Sequence, residues 1–88
     1  MDYLLFTYPN CEKCEDLKAY LRDKAIDAAT FRVEEKDGRM KIREFLSYVK
    51  RDAAGAIILP TLVLRDNGAV AAVVNTRQEL AAWFDSRA

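Results

Sequence analysis

The stretch Thr7-Tyr8-Pro9-Asn10-Cys11-Glu12-Lys13-Cys14 contains both cysteines of the chain, three positions apart. An apolar run, Tyr3-Leu4-Leu5-Phe6, precedes it, and a helical pattern begins at the cysteines. A Cys-x-x-Cys pair between a strand and a helix, near the start of a small chain, is typical of a redox-active dithiol. The sequence therefore predicts thiol chemistry at the junction of the first strand and the first helix.

The roles of the two cysteines follow from their expected places on that helix. Asn10 is expected to be the N-cap, because its side-chain oxygen can accept a free amide of the first turn. Cys11 would then be the first helical residue, with Cys14 on the same face. The helix dipole and the unpaired amides favour a thiolate at Cys11, whereas Cys14 lies deeper. We predict Cys11 as the nucleophile and Cys14 as the resolving thiol.

Other uses of the cysteine pair stay open at this point. A buried cysteine can be a small apolar core residue, and a disulfide across so short a loop would constrain the unfolded chain little. The chain has no His and no third Cys, so one copy cannot complete a usual zinc site, and no metal ligands are predicted. Copper(I) accepts fewer and softer ligands, which leaves a copper(I) carrier as the alternative function.

Length and charge limit the remaining classes. The 88 residues predict one domain, residues 1–88. Lys plus Arg number 14 and Asp plus Glu number 14, so charge gives no reason to expect nucleic acid or a membrane surface as partner. Met1-Asp2-Tyr3 lacks the basic start of a signal peptide, and the apolar run is too short to span a membrane. A reducing cytoplasm is the expected location.

Apolar spacing and turn residues predict the element order β-α-β-α-β-β-α. The predicted segments are a strand at 3–7, a helix at 11–25, a strand at 30–34, a turn at Lys36-Asp37-Gly38, a helix from Ile42 to Ala53 that Gly55 ends, a strand from Ile57 to Leu64, a hairpin turn at Asp66-Asn67-Gly68, a strand at 69–74, and a helix from Thr76 to about Arg87 that begins with the capping box Thr76-Arg77-Gln78-Glu79. This order predicts an α/β fold with one mixed four-stranded sheet flanked by helices. The dithiol would lie at the carboxyl end of the first strand, where open α/β sheets place their sites.

With Leu59-Pro60 placed before the hairpin, these features resemble a glutaredoxin-like protein of the thioredoxin-fold family. The resemblance covers nearly the whole chain and implies a thiol–disulfide oxidoreductase. It also implies that the Leu59–Pro60 bond is cis, that Pro60 faces the dithiol, and that the backbone at Leu59 pairs with the incoming substrate. Some members of the family hold an iron–sulfur cluster between two copies, usually with glutathione as a ligand.

The chain departs from glutathione-using members at three places. Tyr8 stands where they often carry Lys, Glu12-Lys13 stands where they often carry Pro-Tyr, and Val74-Asn75-Thr76 stands where they usually carry Gly-Gly followed by Cys or Asp. The side chains of Val74 and Asn75 are expected to occupy the space that glutathione would need. These departures argue against glutathione as the partner and also weaken the cluster interpretation.

Three further residues are candidates for substrate binding beside Leu59 and Pro60. Tyr8 could offer a hydroxyl or an aromatic wall to substrate, or could pack at the end of the strand. Lys13 is a cation beside Cys11 that favours the thiolate, against the opposing charges of Glu12 and Glu15. Thr76 could help to bind an anion at a helix start, although capping is its commoner role. No bound cofactor is required, and the expected partners of this monomer are a disulfide-containing protein and an electron-donating reductase.

Overall fold

The computed structural model describes residues 1–87 and has the predicted element order. The elements are β1 (Asp2–Thr7), α1 (Glu12–Asp23), β2 (Ala29–Arg32), α2 (Lys36–Ile42), β3 (Thr61–Asp66), β4 (Ala69–Val74) and α3 (Arg77–Arg87), and a 3-10 turn, Arg43–Phe45, continues α2. No helix among residues 1–87 is long and apolar enough to cross a membrane.

The four strands form one mixed sheet in the order β2-β1-β3-β4. β1 is parallel to β2, and the other two pairs are antiparallel. Phe6 of β1 pairs with Phe31 on one side and with Thr61 on the other, and Leu62 pairs with Val74. This register brings the carboxyl ends of β1, β2 and β4 and the amino end of β3 to the same edge of the sheet, called the site edge below.

Helices cover both faces of the sheet, as the apolar run in β1 predicts. Leu5 packs on one face with residues of α1 and α3, chiefly Leu17, Leu21 and Leu80. Leu4 and Phe6 pack on the other face with Ile42 and Phe45. β1 is therefore buried on both sides, which fixes the position of the loop that follows it.

The predicted turn at Lys36-Asp37-Gly38 is wrong, because α2 begins at Lys36 and contains all three residues. Gly38 is buried in this helix, and a Cβ at that position would collide with the carbonyl oxygen of Arg32. The glycine therefore permits a close approach between α2 and the end of β2, and does not mark a turn.

The predicted helix from Ile42 to Ala53 is also wrong. α2 ends at Ile42, the 3-10 turn ends at Phe45, and the chain beyond residue 48 is not helical. Where the predicted helix would end, Asp52 Oδ1 instead accepts the amides of Ala54 and Ala56 at 2.9 and 3.0 Å, a local side-chain-to-backbone turn. Arg51 and Ile57 then pair antiparallel, and Gly55 turns this small hairpin with φ +87°.

The strand predicted from Ile57 begins only at Thr61, after Pro60. A proline has no N–H to donate to the ladder, so the residues before it pair elsewhere, with the amide of Ile58 donating to Lys50 O at 3.0 Å. The hairpin after β3 is confirmed: Asn67 and Gly68 both have positive φ, 51° and 82°. β4 has the predicted bounds.

Candidate functional site

The two cysteines lie at the site edge, at the start of α1, and are joined in a disulfide. Their Cα atoms are 5.2 Å apart. Cys11 is 6% exposed and Cys14 is 1% exposed, so Cys11 is the less buried of two buried residues. This order of exposure matches the predicted roles of an attacking Cys11 and a resolving Cys14.

Asn10 is not the N-cap, and this expectation is wrong. Cys11 occupies that position with extended backbone, and its Sγ accepts the amide N–H of Cys14 at 3.0 Å. Asn10 instead has a left-handed backbone, φ 56°, which Asn tolerates better than most residues, and it turns the chain into the helix. Cys11 thus stands just before α1 and receives an amide of its first turn directly on sulfur.

Leu59 and Pro60 lie beside residues 8–10, which join β1 to Cys11 and are called the dithiol loop here. The pairing of Phe6 with Thr61 places Pro60 level with Thr7, the last residue before that loop. Pro60 is fully buried, Leu59 is half-buried, and the bond between them is cis, which confirms the expectation drawn from the resemblance. The backbone before the proline is thus held at the same edge as the sulfurs.

Tyr8 lies between two neighbouring grooves. The first, the dithiol groove, has a volume of about 360 Å³ and is lined by Tyr8, Cys11 and Arg32, among others. The second, the strand groove, has about 410 Å³ and is lined by Tyr8, Asp52, Ile57, Ile58 and Leu59. Tyr8 is 44% exposed, so its ring forms a wall shared by both grooves and is not an internal packing residue.

Lys13 and Thr76 are placed differently from Tyr8. Lys13 is exposed on the first turn of α1 and lines neither groove. Thr76 caps α3, with its Oγ1 accepting the amide of Glu79 at 3.0 Å, as the capping box predicts. Its hydroxyl oxygen is therefore already engaged within the fold.

Asn75 is a site residue that the sequence reasoning missed. Its side chain is buried, and Nδ2 donates to the carbonyl oxygens of Ile58 and Pro60 at 3.0 and 2.9 Å. Val74 is buried in the core with Leu62 and Leu80. The expectation that Val74 and Asn75 project into the space for glutathione is therefore wrong, since both side chains point inward. A polar Asn between an apolar strand and a capping Thr is the signal that could have indicated this role.

Glu79 ties the start of α3 to the same region. Its Oε1 accepts the amide of Asn75 at 2.8 Å, and its Oε2 accepts Nζ of Lys50 at 3.0 Å. Burial raises the pKa of Glu79, but the donors from Asn75, Lys50 and Thr76 outweigh it and hold the pKa below its ordinary value. Besides the amide of Thr76, which the capping box predicts as the donor, the Glu79 carboxylate therefore also accepts the amide of Asn75.

A metal centre of the common kinds is not formed by one copy of residues 1–87, in which no three His, Cys, Asp or Glu side chains come together. Among the described residues, the site edge contains two sulfurs, the phenol of Tyr8 and the backbone at Leu59.

Comparisons with known proteins agree with this fold. The family model described as Glutaredoxin matches residues 4–69. The crystal structure of a mutant of the thioredoxin-like protein BC3987 superposes with a TM-score of 0.63 at 18% identity, covering 94% of this chain and 99% of the other. The unmutated BC3987 gives a TM-score of 0.62 at 20% identity, with 92% and 97% covered. At this identity the two structures show the fold alone, and no curated protein sequence matches.

Proposed function

This chain belongs to the glutaredoxin family, and from that premise we propose that it is a thiol–disulfide oxidoreductase in which Cys11 attacks and Cys14 resolves. One observation carries the proposal: Sγ of Cys11, the less buried of the two cysteines, accepts a helix amide at 3.0 Å and lies within bonding reach of Cys14. A hydrogen bond to sulfur favours the thiolate, which is the nucleophile.

The reaction begins with the reduced protein. The Cys11 thiolate attacks one sulfur of a substrate disulfide, forming a mixed disulfide and releasing the other substrate sulfur as a thiolate that takes a proton. Cys14 loses its proton to water or a nearby carboxylate and attacks Cys11 Sγ. The second substrate sulfur leaves as a thiol, and Cys11–Cys14 closes as a disulfide. Two electrons pass from the dithiol to the substrate, and a reductant returns them.

Substrate is proposed to lie in an extended form against the backbone at Leu59, in the strand groove. Two features support this: Leu59 lies beside the dithiol loop, and Asn75 fixes the carbonyls on either side of it. Tyr8 forms the wall between the scissile sulfurs and this backbone. The expected monomer and a reducing cytoplasm remain part of the proposal.

The copper(I) carrier is the weaker candidate. Carriers of the heavy-metal-associated kind have the order β-α-β-β-α-β and end on a strand. The described chain has the order β-α-β-α-β-β-α and ends on α3. No feature of the described residues favours the carrier over the oxidoreductase.

The roles of the two sulfurs can be tested by alkylation and trapping. We expect Cys11 of the reduced protein to alkylate faster and at lower pH than Cys14, because it is more exposed and receives an amide. Cys14→Ser should accumulate a mixed disulfide with substrate, detected by mass, because the resolving step is lost. Cys11→Ser should form none. Faster alkylation of Cys14, or trapping by Cys11→Ser, would reverse the assignment.

A further inference from the structure

An apolar groove with two arginines adjoins the backbone at Leu59, where substrate is proposed to dock. It has a volume of about 430 Å³ and is called the arginine groove here; its lining residues are Val33, Arg39, Ile42, Arg51, Ile57 and Leu59. The four apolar side chains belong to or pack on the cluster beneath α2. The groove is therefore a fixed apolar surface with cations beside it, and the proposed reaction leaves it unused.

This groove is continuous with the path that leads to the sulfurs. It shares Ile57 and Leu59 with the strand groove, which shares Tyr8 with the dithiol groove. Val33 also donates its amide to Thr7 O at 2.9 Å, directly before the dithiol loop. An extended segment that lies along Leu59 with its cysteine at Cys11 would therefore bring a neighbouring side chain to the arginine groove.

The charges along this path differ from one end to the other. In the dithiol groove the cations are neutralised, with Arg32 paired to Glu34 at 2.7 Å and Lys18 to Glu15 at 3.1 Å. The strand groove contains the carboxylate of Asp52. Arg39 and Arg51 donate to the backbone carbonyls of Glu34 and Gly55, and neither is ion-paired with a carboxylate among residues 1–87.

A guanidinium held by one carbonyl keeps further N–H donors, and these suit a carboxylate in particular. Asp52, which lines the strand groove with Tyr8, would repel an acidic side chain placed there. Resting on the proposed function, we infer that the substrate is an extended protein segment with an apolar and an acidic side chain near its reactive cysteine. The apolar side chain fills the arginine groove, and the carboxylate binds Arg39 and Arg51.

The test uses short synthetic peptides whose single cysteine is activated as a 2-pyridyl disulfide. The Cys11 thiolate attacks the peptide sulfur and displaces pyridine-2-thione, whose absorbance reports the rate. One peptide carries Asp and Leu beside the cysteine; matched peptides replace Asp by Asn or Lys, or Leu by Gly. Each is made with the pair before the cysteine and with the pair after it, because an extended segment can pair in either direction.

In at least one direction the Asp peptide should react faster than the Lys peptide, by roughly two- to fivefold for each arginine engaged. Replacing Leu by Gly should slow the Asp peptide roughly tenfold. Arg39→Gln and Arg51→Gln should each reduce the Asp-to-Lys rate ratio, and Arg39→Glu should invert it. The ratio is taken within one variant, so partial loss of folded protein does not change it.

Arg22→Gln is the matched control, because Arg22 is exposed on α1, which packs on the opposite face of the sheet. It should leave the ratio unchanged. Equal rates for the Asp and Lys peptides in both directions, no gain from Leu, or an equal effect of Arg22→Gln would overturn the inference. A small neutral 2-pyridyl disulfide is run in parallel: failure to react faster than a free cysteine would count against the proposed function itself.

Discussion

The sulfur of Cys11 takes the place that a hydroxyl or amide oxygen usually has at a helix start. Its contact with the amide of Cys14, at 3.0 Å, is a local bond across one helical turn. In the reduced protein the same N–H would stabilise a thiolate at Cys11, while the exposed Glu12 and Glu15 in the first turn of α1 oppose it. The proposed role of Cys11 as nucleophile therefore rests on this backbone hydrogen bond, since the flanking carboxylates oppose a thiolate.

Asn75 is the residue whose loss should most affect the backbone at Leu59, where substrate is proposed to dock. Asn75→Ala would leave the Pro60 carbonyl without its side-chain donor and the Ile58 carbonyl with only the Thr61 hydroxyl, at 2.7 Å. Losing buried partners costs about 1–3 kcal/mol of unfolding free energy. We also expect slower reaction with peptide disulfides, because Leu59 lies between those carbonyls. Urea unfolding and the peptide rate measure the two effects.

Gln78→Ala is the control for Asn75, since Gln78 is an exposed amide in the first turn of α3. It should change neither measurement appreciably. An Asn75→Ala protein as stable as the parent would show that these hydrogen bonds are exchanged for water at no cost, and an unchanged peptide rate would remove Asn75 from the site.

At the scale of elements, the position of α2 depends on the close contact of Gly38 with the Arg32 carbonyl, and not on helix propensity. Gly38→Ala would raise intrinsic helix propensity by about 1 kcal/mol. It would also drive a methyl group into the carbonyl oxygen of Arg32, a backbone atom that cannot move aside. We expect the collision to dominate, with a net loss of about 1–3 kcal/mol on unfolding in urea.

Met40→Ala, in the same helix with a side chain that is 56% exposed, provides the comparison. It should be close to neutral. If Gly38→Ala proves stabilising, α2 does not approach β2 as closely as described.

The start of α3 should make the fold sensitive to acid through Glu79. Its pKa is lowered on folding, so its carboxylate stabilises the fold at pH values above the unfolded pKa. That contribution is lost as pH falls through the folded pKa. Because the side chain is 41% exposed, we expect Glu79→Gln to lose only roughly 0.5 kcal/mol near neutral pH, about 2–4 °C in Tm.

The Tm difference between Glu79→Gln and the parent should shrink toward zero in acid, below both pKa values. Glu44→Gln, which removes a surface pair with Lys41 at 3.3 Å, is the control and should show a smaller difference. A Tm difference that persists unchanged in strong acid would mean that packing, and not the carboxylate charge, is responsible.

At the scale of the whole molecule, several features that depend on neighbouring residues were predicted, although Asn10 is not the cap of α1. The strand before Cys11, the Asn67-Gly68 turn and the Thr76 cap each depend on neighbouring residues, and the structure has all three. The bounds of α2 and the role of Asn75 depend on distant partners. Asn75 binds carbonyls 15 and 17 positions earlier, and no periodicity in the sequence encodes such a pair.

The choice of reductant also depends on residues whose distant contacts the sequence did not predict. The expected obstruction by Val74 and Asn75 is absent, because both side chains are buried. What still argues against glutathione is the lack of a cation at Tyr8, which lines the dithiol groove. A thioredoxin-reductase-like donor therefore remains our proposed reductant, because position 8 offers no positive charge to glutathione.

The effect of charge at position 8 on the choice of reductant can be tested directly. Tyr8→Lys should speed reduction of the oxidised protein by glutathione, because the ammonium group would attract a glutathione carboxylate beside the sulfurs. Tyr8 is 44% exposed, so water screens the new pair and limits the gain to roughly fivefold. Tyr48→Lys makes the same exchange at a residue that is 53% exposed and lines none of the three grooves, and it should leave the rate unchanged.

Rates with glutathione and with a thioredoxin reductase are compared for each protein. If the parent already reacts faster with glutathione than with the reductase, and Tyr8→Lys adds nothing, then recognition does not depend on charge at this position, and glutathione is the better candidate.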